Sequence, residues 1–232
     1  MTAPRLFPAD ELERSPVVAN NTMNRERGLS GVNSYARELG LDPAAHLAVR
    51  STAPAWLDLC SSEGRALREA ASRLPDGAVL TGVDLVGPLV PAPVPPGLEL
   101  LRASVAHWAP YRTYDLITCV HGLHYVGDQL GLLARAASWL APGGLLVAHL
   151  DPGSLRRADG APAGRAAVAA LRAAGFRCSA RHHRISLDGP RTVRLPFRYL
   201  GADPAAGPNH TGQPAVASHY APAPVAGTAS AQ

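Results

Sequence analysis

Short apolar runs alternate with amphipathic stretches along the middle of the chain. Apolar runs of strand length occupy residues 53–60, 78–84, 98–102, 114–121 and 145–150. Between them, apolar residues at helical spacing predict helices over 64–73, 128–140 and 162–174. Strands that alternate with helices form parallel sheets covered by helices on both faces. The pattern therefore predicts one α/β domain with three layers.

The two ends of the chain depart from this alternation. Residues 1–21 look irregular, 22–39 predict a polar helix capped at Asn20, Asn21 or Thr22, and a shorter helix follows over 43–50. Residues 176–185 and 191–200 predict two strands joined by a hairpin turn at Asp188-Gly189. The Ala- and Pro-rich residues 201–232 predict a tail that docks in part through GPNHTGQPAVASHY and is disordered over its last ten or so residues. We therefore expect a helical segment 1–50, a domain 51–200 and a tail 201–232.

Composition narrows the class of protein. Apolar residues make up 47% of the chain and charged residues 17%, which supports a full core. All 22 basic residues are Arg, as in proteins from GC-rich genomes, so we expect an actinobacterial source. The net charge of +4 is spread along the chain, which argues against nucleic acid as a partner. With no signal peptide and no apolar run of membrane length, a cytoplasmic protein is expected, with no membrane partner.

A tight loop of small residues follows the first predicted strand, in the segment PAWLDLCSSEGRAL. Asp58 ends the strand and Gly64 opens the next helix. Small side chains in such a loop let backbone amides approach a ligand. A dinucleotide-binding fold would have G-x-G-x-x-G here, which this loop lacks. A structural turn capped by Ser61, Ser62 or Glu63 explains the same sequence. The loop alone therefore leaves open whether it binds a ligand or only connects the strand to the helix.

The ends of the next strands carry further polar residues. Asp84 ends the second strand, twenty residues beyond Gly64, where a carboxylate can accept hydrogen bonds from both hydroxyls of a ribose. Ser104 and Val105 follow the third strand, and Val120 and His121 end the fourth. The turn Ala-Pro-Gly-Gly precedes the fifth strand.

In their order and spacing, these motifs over roughly residues 53–151 resemble the class I S-adenosylmethionine-dependent methyltransferases. The resemblance implies a Rossmann-like fold with a mostly parallel seven-stranded sheet, a C-terminal antiparallel hairpin and an N-terminal helical lid. It implies S-adenosylmethionine as cofactor, with Asp58 attracting its amino group. The cofactor-binding residues would be Tyr35, Asp58, Cys60, Ser62, Gly64, Asp84, Ser104, Val105 and Val120. The chain departs from the family at Cys60 and Ser62, which replace glycines, and at Ser104 and Val105, where the family often has an acid beside the adenine.

His121 and His124 are the candidate catalytic residues, since the end of the fourth strand faces the reacting methyl group in this family. An imidazole titrates in the right range to accept a proton from the methyl acceptor, and His121 is the first choice. Two other interpretations stay open: a polar lining of the cofactor, or metal ligation together with His149 or Asp151. Because methyl transfer needs no metal, none is expected.

The function that this resemblance implies is methyl transfer to a small-molecule acceptor in bacterial secondary metabolism. The Asn/Asp-Pro-Pro-aromatic signature of many base and glutamine N-methyltransferases is absent, which argues against those substrates. The alternatives are an RNA methyltransferase, for which no basic face or RNA-binding module is evident, and a non-catalytic binding protein on the same fold. The sequence leaves open a homodimer and the identity of the acceptor.

Overall fold

A computed structural model describes residues 4–19, 27–87 and 93–224. Within these ranges, seven strands form the main sheet in the order β3-β2-β1-β4-β5-β8-β7, and a second sheet has the order β6-β10-β9. The strands in chain order are β1 (Ala55–Leu59), β2 (Val79–Asp84), β3 (Leu98–Arg102), β4 (Tyr114–Cys119), β5 (Leu140–His149), β6 (Leu155–Arg157), β7 (Arg177–Ser179), β8 (Arg184–Asp188), β9 (Phe197–Asp203) and β10 (Ala217–Pro222). In the main sheet β8 runs antiparallel to both neighbours and the other pairs are parallel, so the predicted sheet is confirmed.

The helices lie on both faces of the main sheet. They are α1 (Ala9–Glu13), α2 (Pro16–Ala19), α3 (Tyr35–Leu39), α4 (Pro43–Ala48), α5 (Arg65–Ala71), α6 (Gln129–Ser138) and α7 (Gly164–Ala173), with 3-10 turns at Gly122–Tyr125 and Pro152–Ser154. Polar caps begin several of them: Ser34 accepts from the backbone of α3, Asp42 from that of α4 and Asp128 from that of α6. No helix within the described ranges is long and apolar enough to span a membrane.

Neighbouring residues of the central strands point into different apolar layers. Trp56 and Leu116 pack with α3, α4 and α5, whereas Leu57 and Ile117 pack with α6 and α7. Side chains alternate between the two faces of a strand, so strands covered on both faces are apolar at every position. The burial of all five residues of β1 follows from this arrangement, and the predicted three-layer α/β fold is confirmed.

The predicted helix over 22–39 is wrong in its described part. Helix α3 begins only at Tyr35, and residues 27–34 form a bent loop in which the Tyr35 amide donates to the carbonyl of Gly28 at 2.9 Å. The Leu29 amide donates at 2.7 Å to the carboxylate of Glu69 on α5, a contact that holds this loop against the domain. The predicted caps Asn20, Asn21 and Thr22 lie outside the described residues. The expectation of irregular structure over 1–21 is also wrong, because α1 and α2 form there.

The predicted hairpin turn at Asp188-Gly189 is wrong as well. The chain reverses at residues 180–183, between β7 and β8, and this earlier hairpin completes the main sheet. Asp188 ends β8, and after residues 190–196 the chain enters β9 of the second sheet. There β9 pairs with β10, which lies within the segment expected to be a partly docked tail. Residues Ala217, Ser218, His219 and Tyr220 of β10 are buried, so this part of the segment belongs to the fold; residues 225–232 lie outside the described ranges.

Candidate active site

A cleft opens where β1, β2 and β3 end at one edge of the main sheet. One wall carries Cys60, Asp84 and Val105 from the ends of these strands and the loops after them, and helices α1 and α2 contribute the opposite wall. Tyr125 and Val126, which follow β4, complete the apolar lining. Of the predicted cofactor-binding residues, the structure therefore brings Cys60, Asp84 and Val105 together in one cleft.

The loop after β1 keeps a glycine-like backbone without the glycines of the family. Cys60 and Ser62 adopt positive φ values of 57° and 54°, and Gly64 has a φ of 66°. A side chain is strained in this conformation, and such strain concentrates at functional sites. At Gly64 an added Cβ would also lie 2.5 Å from Leu100 of β3. Cys60 and Ser62 therefore adopt, with some strain, backbone conformations that glycine adopts freely.

Asp84 joins this loop to the end of β2. Its Oδ2 accepts a hydrogen bond from the Ser62 amide at 2.8 Å and its Oδ1 one from the Val86 amide at 2.9 Å. Both oxygens of the carboxylate therefore hold backbone amides of loops that border the cleft. The cleft therefore combines apolar walls with the carboxylates of Asp84 and Glu13.

Helix α1 is fastened to the loop after β3 by two polar contacts. The Ser104 hydroxyl donates to Glu13, and His107 pairs with Asp10 at 3.0 Å. Glu13 thereby brings a carboxylate to the cleft, beside the position where the family often has its own acid. Sequence reasoning missed Glu13, because the short helix α1 was not predicted.

Asp58 and Tyr35 are buried and contact each other, and neither lines the cleft. The Tyr35 hydroxyl donates to Asp58 Oδ2 at 2.7 Å, and the Thr118 hydroxyl donates to Oδ1 at 2.6 Å. Burial raises the pKa of Asp58 to about 7, although both hydrogen bonds favour the carboxylate. The predicted contact of Asp58 and Tyr35 with the cofactor stays a prediction. Val120, also predicted, is fully buried in the apolar layer beside α3.

A cluster of five histidines lies beyond the carboxyl ends of β4 and β5. It consists of His121, His124, His149, His183 and His210. The His121 ring stacks on His149 with centroids 4.3 Å apart, and His183 stacks on His210 at 3.7 Å. His124 connects the two pairs, with its centroid 5.7 Å from that of His121 and 5.3 Å from that of His210. The predicted candidates His121 and His124 are thus part of a larger group.

Two carboxylates border this histidine cluster. Glu38 of α3 lies 3.1 Å from His121 Nε2 and 3.7 Å from His149 Nε2, and Arg27 donates to its other oxygen at 2.6 Å. The hydrogen bond with His121 lowers the pKa of Glu38 to about 2, against the effect of burial. On the other side, Asp151 Oδ2 lies 3.5 Å from His210 Nδ1.

Burial also lowers the pKa of both His124 and His149 to about 3, so both rings are neutral near neutral pH. Sequence reasoning missed Glu38, His183 and His210 as members of the cluster. The one sequence signal that the C-terminal segment contributes to the cluster was the pair of histidines within GPNHTGQPAVASHY. The general-base role of His121 and His124 stays a prediction.

Known proteins support this picture of the fold. The family model of a methyltransferase domain matches residues 32–185. The chain is 31% identical over 113 residues to trans-aconitate 2-methyltransferase of Acidovorax sp. (strain JS42), covering 47% of this chain and 43% of that protein. It is 33% identical over 113 residues to trans-aconitate 2-methyltransferase of Methylobacterium radiotolerans, with the same coverage of 47% and 43%. The matched part is thus less than half the length of these curated relatives.

One similar solved structure is the amino pentose methyltransferase CalS10 of Micromonospora echinaspora. It is 26% identical to this chain, with a TM-score of 0.36 over 47% of this chain and 49% of that one. The family model, by contrast, covers well over half of the chain. Together with the sheet order and the cleft, this match confirms the resemblance inferred from the motifs: the chain belongs to the methyltransferase domain family, on the class I S-adenosylmethionine-dependent fold.

Proposed function

We propose that this protein binds S-adenosylmethionine in the cleft beside Asp84 and transfers its methyl group to a small-molecule acceptor. The observation that carries the proposal is the cleft itself. It combines a strained loop at Cys60 and Ser62, the Asp84 carboxylate and an apolar slot closed by α1 and α2. Each of these features suits one part of the cofactor. The loop and Asp84 lie within residues 32–185, which the family model matches, and α1 and α2 lie against that part of the chain.

Different residues of the cleft bind different parts of the cofactor. Asp84 accepts the ribose hydroxyls, and Val105 with Tyr125 contributes the apolar surface for the adenine. Glu13 offers an acceptor for the adenine amino group, in place of the acid that the family often has after β3. The backbone after Asp58, through Cys60, Ser62 and Gly64, borders the methionine part.

The protein's share of the chemistry is positioning. S-adenosylmethionine, when bound, supplies a methyl group already activated by a positively charged sulfur. The lid formed by α1, α2 and the loop at Arg27 covers the strand ends and excludes water from the site. Holding the acceptor in line with the methyl group converts a bimolecular step into one that proceeds within a complex, which is a large source of rate acceleration.

A small molecule is the acceptor that the composition and the relatives support. The net charge of +4 is low and dispersed, whereas proteins that track phosphates cluster their cations. The curated relatives are named for trans-aconitate, a small molecule. The histidine cluster borders the predicted acceptor side and gives it polar groups that hold no positive charge at His124 and His149 near neutral pH.

A transfer assay tests the proposal directly. Purified protein is incubated with methyl-labelled S-adenosylmethionine and either a bacterial small-molecule extract or total RNA, and the labelled products are separated by size. We expect label in the small-molecule fraction, and its loss in Asp84→Ala. Label in RNA alone would favour the RNA methyltransferase, and cofactor binding without transfer in either pool would favour a non-catalytic protein.

A further inference from the structure

Three histidines from separate parts of the chain bring their ring nitrogens together at the end of β4. His121 and His124 belong to the turn after β4, and His210 comes from the connection between β9 and β10. One ring nitrogen from each lies within 4.8 Å of one from each of the other two. The three ring centroids are 5.3–6.2 Å apart.

The nitrogens at this point lack hydrogen-bond partners. His124 is 0% exposed, and neither its Nδ1 nor its Nε2 has a partner within the described residues. His121 is 5% exposed, and its Nδ1 also has no partner within the described residues. Buried polar side-chain atoms are nearly always hydrogen-bonded, so each exception calls for an explanation. A ligand that accepts imidazole lone pairs supplies one.

One ring nitrogen of His121 and one of His210 face carboxylates. Glu38 Oε2 lies 3.1 Å from His121 Nε2, and Asp151 Oδ2 lies 3.5 Å from His210 Nδ1. Histidines that bind metal ions commonly donate their other ring N–H to a carboxylate, which fixes the tautomer and the orientation of the ring. The pairing leaves Nδ1 of His121 and Nε2 of His210 as the nitrogens for a shared ion.

We propose that His121, His124 and His210 bind a divalent transition-metal ion, with Zn²⁺ as the ion that fits best. Three histidines with a fourth position open to water or substrate is an established arrangement for Zn²⁺. Two nitrogens that each lie about 2.0–2.1 Å from a tetrahedral ion are about 3.4 Å apart. The three ring nitrogens lie within 4.8 Å of one another, so small side-chain rotations bring them to that distance.

Two overlapping groups of residues could hold an ion instead. They are Glu38 with His121 and His149, and Asp151 with His183 and His210. In both groups the carboxylate is tied to other partners: Arg27 donates to Glu38, and the amides of Gly153 and His210 donate to Asp151. Both carboxylates are therefore better suited to orient histidines than to ligate. Only the three-histidine site uses the unpartnered ring of His124.

Metal binding by these three histidines does not depend on the proposed methyl transfer, whereas the role of the ion in catalysis does. It also changes one expectation from the sequence, which was that no metal is needed. A metal ion on Nδ1 of His121 occupies the lone pair that a general base would use. For an acceptor with a hydroxyl group, the ion would instead bind that oxygen and favour its deprotonated form, with the proton passing to water.

Titration with Co²⁺ tests the site, because this ion replaces Zn²⁺ and gives visible absorption bands in a four-coordinate site. Tag-free protein is treated with a chelator and titrated with Co²⁺, and Zn²⁺ is then added in competition. We expect one ion per chain and displacement of Co²⁺ by Zn²⁺. His210→Ala and His124→Leu should each weaken binding at least a hundredfold, and Glu38→Gln about tenfold.

His183→Ala and His149→Ala are the matched controls, since each removes a histidine of the cluster that belongs only to a rival group. Both should bind Co²⁺ within about threefold of the wild type. His210 has a partly exposed side chain, so His210→Ala should keep the circular dichroism of the wild type. The proposal is overturned if the wild type binds no Co²⁺ at micromolar concentration. It is also overturned if His210→Ala and His124→Leu bind as well as the wild type, or if either control loses as much affinity as they do.

Discussion

Replacing Asp58 with asparagine is expected to stabilise the protein, and to do so more strongly as the pH rises. Asp58 is 1% exposed, and burial raises its pKa to about 7 even though Thr118 and Tyr35 donate hydrogen bonds to it. The folded protein therefore holds a proton on Asp58 at pH values where the unfolded chain, with a usual pKa of 3.8, has lost it.

The magnitude follows from the difference between these two pKa values. The interval from 3.8 to about 7 corresponds to about 4 kcal/mol. Because the folded state binds more protons within this interval, the free energy of unfolding falls as the pH rises through it. Asparagine has nearly the same shape and does not titrate. We expect the variant and the wild type to be similar near pH 4 and to differ by an amount approaching about 4 kcal/mol at pH 8.

Urea unfolding at a series of pH values, at constant ionic strength, measures this difference. Asp76→Asn is the matched control, since Asp76 is exposed and its replacement should leave the pH dependence unchanged. Tyr35→Phe should move the transition to higher pH, because the hydrogen bond from Tyr35 lowers the pKa of Asp58. If Asp58→Asn and the wild type lose stability in parallel from pH 4 to 8, the reasoning about this carboxyl group is wrong.

Three further predictions test the lid, the loop and the C-terminal strand. Glu13→Gln weakens the contact of α1 with the loop after β3, and should reduce the affinity for S-adenosylhomocysteine about fivefold in a calorimetric titration; unchanged affinity would remove Glu13 from the site. Gly64→Ala adds a Cβ 2.5 Å from a β3 side chain at a φ of +66°. It should destabilise the protein by about 2–3 kcal/mol, and more than Gly160→Ala, where the φ is also positive but nothing lies within 4 Å; equal losses would contradict the contact. Tyr220→Phe removes the hydroxyl that donates to Asp128 at 3.1 Å, and should reduce the free energy of unfolding by about 1–2 kcal/mol in urea; no loss would mean that this hydrogen bond does not stabilise the docking of β10.

The central strands β1, β2, β4 and β5 could be predicted from the sequence because most of their residues are buried. Continuous apolar runs bounded by polar loops predicted β1 to β5, and the bounds of β3 were predicted to the residue. The loop before α3 could not be predicted, because the Glu69 carboxylate that holds the Leu29 amide is forty positions away in the chain. Local spacing alone favoured a helix there, and a tertiary contact decided otherwise.

The same distinction applies to the candidate site. Asp84 and His121 could be predicted, since the carboxyl ends of neighbouring parallel strands meet at one edge of a sheet. Glu13 and His210 could not, because they come from the short helix α1 and from the connection between β9 and β10. The pairing of β9 with β10 brings His210 to the cluster, and the apparent hairpin at Asp188-Gly189 concealed that pairing.

Calorimetric titration of the protein with S-adenosylhomocysteine, the product of methyl transfer, tests the central claim most directly. The wild type should bind one molecule per chain. Asp84→Ala should weaken that binding by about 1–3 kcal/mol, or roughly five- to 150-fold, through loss of the ribose hydrogen bonds. Asp76→Ala, at an exposed position away from the cleft, should bind like the wild type. A folded wild-type protein that binds no S-adenosylhomocysteine, or a folded Asp84→Ala variant that binds it equally well, would contradict the account.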